Sequence, residues 1–146
     1  MSDQCGPTEE PSGEPGFSQA MGERVMPKKI LIVDDSQVFR KLEQVLLEHQ
    51  GFELVTAGDG VEAVHKALSE TPELILLDLQ MPVMTGKQAL TILKGNPQTR
   101  DIPVVVVTTT TDARESEKLI ESGAASVLPK PLDSAQLLAT VRKLLG

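Results

Sequence analysis

Residues 102–111 read IPVVVVTTTT, four valines followed by four threonines. An unbroken β-branched run with no polar alternation fits an inner strand covered on both faces, not the half-wet strand of an antiparallel sheet. Pro103 can open such a strand without costing a ladder donor. The first threonine, Thr108, then falls at the carboxyl end of the strand. The last, Thr111, adjoins Asp112 and falls in the turn before a helix.

Working outward, KKILIVDD (28–35), FELVTA (52–57), ELILLD (73–78) and ASVLP (125–129) read as four more strands. Amphipathic helical stretches separate them. Val38, Leu42, Val45 and Leu46 share one helical face, as do Val61, Val64, Ala67 and Leu68, and later Leu137, Leu138, Val141, Leu144 and Leu145. Gly51 reads as a helix stop, and Asp112 with Glu115 three residues later reads as a capping box that opens a helix. Five strands alternating with five helices predict a doubly wound, five-stranded parallel sheet in a three-layer α/β/α sandwich. In open sheets of this kind ligands bind at the carboxyl ends of the strands.

Composition narrows the class further. Of 146 residues only three are aromatic, all Phe, so the core is aliphatic. The net charge of −7, from 14 Lys and Arg against 21 Asp and Glu, argues against a direct nucleic-acid partner, which needs clustered cations. Apolar runs of four residues are far below the roughly 18 needed to span a bilayer, so no membrane insertion is expected. The lone Cys5 excludes an intrachain disulfide scaffold. With no signal-peptide pattern, the expected location is cytoplasmic. Residues 1–26 carry Pro7, Pro11, Pro15, four glycines and five acids against Arg24 alone, which predicts a disordered acidic tail ahead of one folded domain over 27–146.

The strand exits carry the chemistry. Asp34 and Asp35 follow the first strand, Asp78 the third, Thr108 the fourth and Lys130 the fifth. Each pair of carboxylates brought to about 4 Å costs roughly 4 kcal/mol at an effective dielectric of about 20. A hard divalent cation removes that conflict, and Mg²⁺ pairs few carboxylates with a phosphoryl group. Asp78, alone at the end of ELILLD, is the candidate nucleophile that would form an acyl phosphate. Lys130 and a threonine hydroxyl would neutralise and position the transferred group.

LIVDDS (31–36), LLDLQMPVMTG (76–86), IPVVVVT (102–108) and SGAASVLPKP (122–131) together resemble the response-regulator receiver domains of bacterial two-component signalling, of the stand-alone chemotaxis-regulator kind. The resemblance covers about residues 28–146 and implies a flavodoxin-like (βα)5 fold. It implies Asp78 as phosphoacceptor, Asp35 as a direct Mg²⁺ ligand, Asp34 as an acid acting largely through metal-bound water, and the backbone carbonyl of Gln80 as a further ligand. It also implies Thr108 as switch hydroxyl, Lys130 as phosphate-binding lysine, a cis bond from Lys130 to Pro131, and Gly86 and Pro82 in the loop after the site. Such a module is no enzyme beyond its own phosphorylation and dephosphorylation. Its partners would be a sensor histidine kinase or histidine phosphotransfer protein, and an effector bound through helix 1 or the helix 4, strand 5, helix 5 face.

Two positions depart from the family pattern. Val127 stands where an aromatic is usual, and Thr109 stands where Ala, Gly or Ser is usual. Val127 cannot swing as a ring does, and Thr109 is expected to narrow access to an acyl phosphate. A Mg²⁺-dependent aspartyl-phosphate phosphohydrolase is the alternative reading, weakened because Gln80 holds the place of a second Asp. A pseudo-receiver scaffold is the other, weakened by the complete polar set. His49 and His65 read as solvated helix residues, Ser36 as a helix cap, and Lys87, Lys94, Arg114 and Lys118 as solvated charges.

Overall fold

The structure is a computed structural model that describes residues 27–81, 84–109, 112–130 and 132–145. The expected tail and the readings of Pro82, Thr111 and Pro131 lie outside the described residues. Among the described residues the strands are β1 (Lys29–Val33), β2 (Glu53–Ala57), β3 (Leu74–Asp78), β4 (Val104–Thr108) and β5 (Ser126–Pro129). The helices are α1 (Gln37–Glu48), α2 (Gly60–Glu70), α3 (Gly86–Gly95), α4 (Ala113–Glu121) and α5 (Ser134–Leu145). Every strand pairing is parallel, in the order β2-β1-β3-β4-β5.

Strand alternation distributes the core between two faces. Ile30, Ile32, Leu74, Leu76, Val105 and Leu128 meet Leu47 of α1 and Leu137 and Val141 of α5. Leu31, Val33, Ile75, Leu77, Val104 and Val106 meet Ala63 and Ala67 of α2, Leu90 and Leu93 of α3 and Leu119 of α4. All five residues of β3 and all five of β4 are buried, as unbroken apolar runs require when helices cover both faces.

Each helix starts on a local signal. Ser36 caps α1 by accepting from Phe39 N, Asp59 caps α2 from Glu62 N, and Asp112 caps α4 from Arg114 N. Thr85 and Gln88 form a capping box on α3. Glu115, read as the far half of a box with Asp112, pairs with Lys87 across the α3–α4 seam at 3.0 Å. Lys94 is more than a solvated charge: its ammonium donates to the carbonyls of Arg100 and Ile102 at 2.9 and 2.7 Å, tying down the chain that enters β4. Gly51 leaves α1 at φ 91°, a backbone region that favours glycine.

The face of α1 differs from the expectation. Val38 and Leu42 are 68 and 61 % exposed, and the inward positions are Glu43 and Leu47. The helix carries apolar residues on more than one side, and its first turn is tied to the end of β1. There the Arg40 guanidinium donates to the Asp34 carbonyl at 2.6 Å, a tie consistent with the stripe of Leu47 meeting the sheet.

Candidate functional site

The chain reverses its direction of winding at β1 and β3, and the strand order leaves a crevice at their carboxyl ends. Val33 is paired with Leu77, so Asp34, just beyond β1, comes level with Asp78, the last residue of β3. Asp34 is held there by three contacts. Its N–H donates to Ala57 O at 3.1 Å, its Oδ1 accepts from Ser36 N at 2.9 Å, and its carbonyl takes the Arg40 guanidinium.

Gly86 brings the next helix against the same strand end. Its N–H donates to Leu79 O at 2.8 Å, and a Cβ there would meet Asp78 O at 2.5 Å, so only glycine allows this approach. Lys130 is placed by the sheet: its N–H donates to Thr108 O at 2.8 Å, so the two residues exit neighbouring strands together.

Asp34, Asp35 and Asp78 each offer a carboxylate oxygen, all within 4.8 Å of one another. Asp34 and Asp78 are buried, while Asp35 is exposed at the mouth. The Lys130 ammonium stands 3.3 Å from Asp34 Oδ2 and 3.3 Å from Asp78 Oδ1. Thr108 is buried, and with Gln80 it lines a hollow beside the crevice; the Gln80 N–H points back to Asp78 Oδ1 at 3.3 Å. Asp34, Asp35, Asp78 and Lys130 therefore meet in one place, and Thr108 ends the neighbouring strand beside them. Thr109 follows Thr108 and is exposed, while Val127 packs against the core face that α2, α3 and α4 cover.

The electrostatics show an incomplete neutralisation. Burial pushes the Asp78 carboxyl upward, Asp34 pushes it further, and Lys130 and the Gln80 N–H offset only part of this. Burial alone would lower Lys130, but attraction to Asp34 and Asp78 outweighs it and raises the ammonium above its ordinary value. One lysine against three carboxylates leaves net negative charge in a confined oxygen-lined space. That donor set suits a hard divalent cation with retained water.

Three residues of this region escaped the sequence reading, all on α1. Arg40 anchors the Asp34 backbone. The Phe39 ring lies under the Lys130 ammonium, 4.8 Å from its centre. Glu43 is a buried acid, pushed up to about 8 by burial and then by the Asp34 charge. Glu43 follows Phe39 by four residues and Arg40 by three, a spacing that was the available signal, but it speaks only once the inward face of the helix is known.

Residues 30–142 match the family described as the response regulator receiver domain. The chain is 32% identical over 121 residues to the polar-differentiation response regulator DivK of Brucella anthropi, covering 83% of this chain and 98% of that protein. It is 40% identical over 119 residues to the response regulator PleD of Caulobacter vibrioides, covering 82% of this chain but 26% of PleD. Among solved structures, the chemotaxis protein CheY4 of Vibrio cholerae superposes with a TM-score of 0.77 at 33% identity, over 82% of this chain and 99% of that one. The receiver domain of a sensor histidine kinase from Pseudomonas aeruginosa PAO1, solved with a magnesium ion in its active site cleft, gives 0.76 at 25% identity, over 83% and 99%. Among the described residues no helix is long and apolar enough to cross a membrane. With the strand order, the acidic crevice and the family match in agreement, the chain belongs to the response regulator receiver domains of two-component signalling.

Proposed function

We propose that this receiver accepts a phosphoryl group on Asp78 from a phosphohistidine of a kinase or phosphotransfer protein, in a Mg²⁺-dependent reaction, and signals by a change in partner affinity. The observation that carries this reading is the meeting of three carboxylates within 4.8 Å with one ammonium 3.3 Å from two of them. Asp34, Asp35, Asp78 and the Gln80 carbonyl would hold the cation. Bound there, it supplies positive charge to the phosphoryl oxygens during transfer.

The chain's own residues do the rest. An Asp78 carboxylate oxygen attacks phosphorus, the P–N bond to histidine breaks, and the leaving imidazole takes the electron pair. Lys130, already poised on Asp78, moves its ion pair to the incoming phosphoryl group. Thr108 donates its hydroxyl to another phosphoryl oxygen, and the shift draws β4 and the start of α4 with it. Output through α1 or the α4–β5–α5 face follows from such a shift, and Val127 makes it a movement without an aromatic partner. The magnesium ion described for the Pseudomonas receiver supports the choice of cation.

The test compares the wild type with Asp78→Asn after incubation with Mg²⁺ and a small phosphodonor. An acid-stable, base-labile mass increase in the wild type alone is expected. An unmodified wild type would point to a scaffold role instead.

A further inference from the structure

Between α1 and α5, sharing Phe39 and the neighbourhood of Glu43 with the phosphoacceptor crevice, lies a cavity of about 300 Å³. Its walls are Phe39 and leucines of both helices, and its polar members are Glu43 and Ser134. The volume stands at the lower end of small-molecule sites, which are mostly apolar with a few placed polar groups.

Glu43 is 5% exposed, and among the described residues no hydrogen bond or close ion pair holds its carboxyl; the charges that act on it from the crevice are Asp34 and Asp78, which repel it, and Lys130, whose attraction offsets only part of the cost of burial. Phe39 one turn before it and Leu46 one turn after it line the same cavity, so the acid interrupts an apolar wall that leucine would complete. Folding gains nothing from an unpaired buried carboxyl, which costs stability. The phosphoryl chemistry does not use it either. An apolar molecule with one cationic nitrogen would satisfy both the walls and the acid, with a charge-assisted bond in a low-dielectric setting.

We propose that the α1–α5 cavity is a binding site for a small apolar cation, an aryl or alkyl amidinium or ammonium, whose charged end pairs with Glu43. On binding, the Glu43 carboxyl releases its proton to solvent and the carboxylate pairs with the cation. Ser134, at the start of α5, offers a hydroxyl to orient a second polar group. Phe39 is a shared wall: it lines the cavity and carries the Lys130 ammonium, so a bound molecule that moves the ring is felt at the crevice. The binding itself does not depend on Asp78 being phosphorylated.

Benzamidinium is a suitable probe, titrated into the full chain without Mg²⁺ and followed by calorimetry and by amide NMR. Saturable one-to-one binding is expected, with shifts at residues 39–46 and 132–137 and at Lys130. Glu43→Gln should weaken it by at least about tenfold, and neutral benzyl alcohol should bind the wild type at least about tenfold more weakly than benzamidinium does. Leu42→Trp, on the exposed rim of the cavity, should also weaken binding, and it serves if Glu43→Gln does not fold. Equal affinity in Glu43→Gln and wild type, shifts confined to Asp34, Asp35 and Asp78, or no saturable binding would each overturn the proposal.

Discussion

The Lys130 ammonium sits 4.8 Å from the centre of the Phe39 ring while it reaches Asp34 and Asp78 at 3.3 Å each, so the ring backs the cation that bridges the two carboxylates. A partly shielded cation–ring contact is worth about 0.5–1 kcal/mol. Phe39→Leu keeps the apolar contact and removes the ring. We expect phosphorylation by a small donor to slow by about two- to fivefold, measured as the initial rate of mass increase. A variant as fast as the wild type would show that the two carboxylates alone position the lysine.

Asp35 is the exposed member of the acidic set, so Asp35→Asn leaves the core intact. Mg²⁺ at about one hundred times its dissociation constant stabilises a receiver by about 2.7 kcal/mol. The wild type should show this as a rise in melting temperature that EDTA reverses. Asp35→Asn should lose most of the rise while melting no lower than the wild type without metal. A full Mg²⁺ response in the variant would remove Asp35 from the ligand set.

Native Glu43 holds its proton up to about pH 8, while the unfolded residue releases it near 4.5. Between those values the native state binds more protons, so stability falls as pH rises through the window. The acid's contribution is complete below the lower value and lost above the upper one. Glu43→Gln should flatten this slope, with a difference on the order of a few kcal/mol between pH 5 and 8.5 in denaturant titrations. Parallel slopes for the two proteins would place the titration elsewhere.

At Gly86 a methyl group would sit 2.5 Å from Asp78 O and 2.6 Å from Leu79 Cα, both backbone atoms that cannot rotate away. Gly86→Ala should therefore cost about 1–3 kcal/mol in urea titrations and move the loop beside Asp78. Phosphorylation should slow in the same variant even where it is fully folded. Unchanged stability would mean that α3 can back away from β3 freely.

Thr109 is exposed and directly follows the buried Thr108 at the carboxyl end of β4, the end at which the crevice opens. Thr109→Ala should lose phosphate faster than the wild type, measured by release after donor removal. An equal or slower decay would count against steric shielding.

The strands were legible because parallel strands covered on both faces leave unbroken apolar runs, and the site residues because strand ends are local in sequence. Asp34, Asp35, Asp78, Thr108 and Lys130 needed only the rule that such crevices open at carboxyl ends. The α1 contributions were hidden. Val38, Leu42 and Val45 obey helical spacing yet face solvent, and the inward stripe contains a glutamate that any hydropathy pattern assigns to the outside. The observed face goes with two contacts that exist only after β1 has formed, the bond from Arg40 to the Asp34 carbonyl and the burial of Leu47 against the sheet. The capping pair Thr85 and Gln88 was readable in principle, since the spacing is local.

Every strand pair in this sheet is parallel, and Val33 meets Leu77 only after α1, β2 and α2 have been looped out between them. Pairing of this kind closes long stretches of chain and is intrinsically slow. Asp34 and Asp78 thus meet only once β1 and β3 have paired, and a newly made polypeptide lacks the poised lysine until β5 has joined the sheet. Competence to be phosphorylated then doubles as proof of folding. A pulse of phosphodonor during refolding should label only molecules that have finished, lagging behind helix formation seen by circular dichroism.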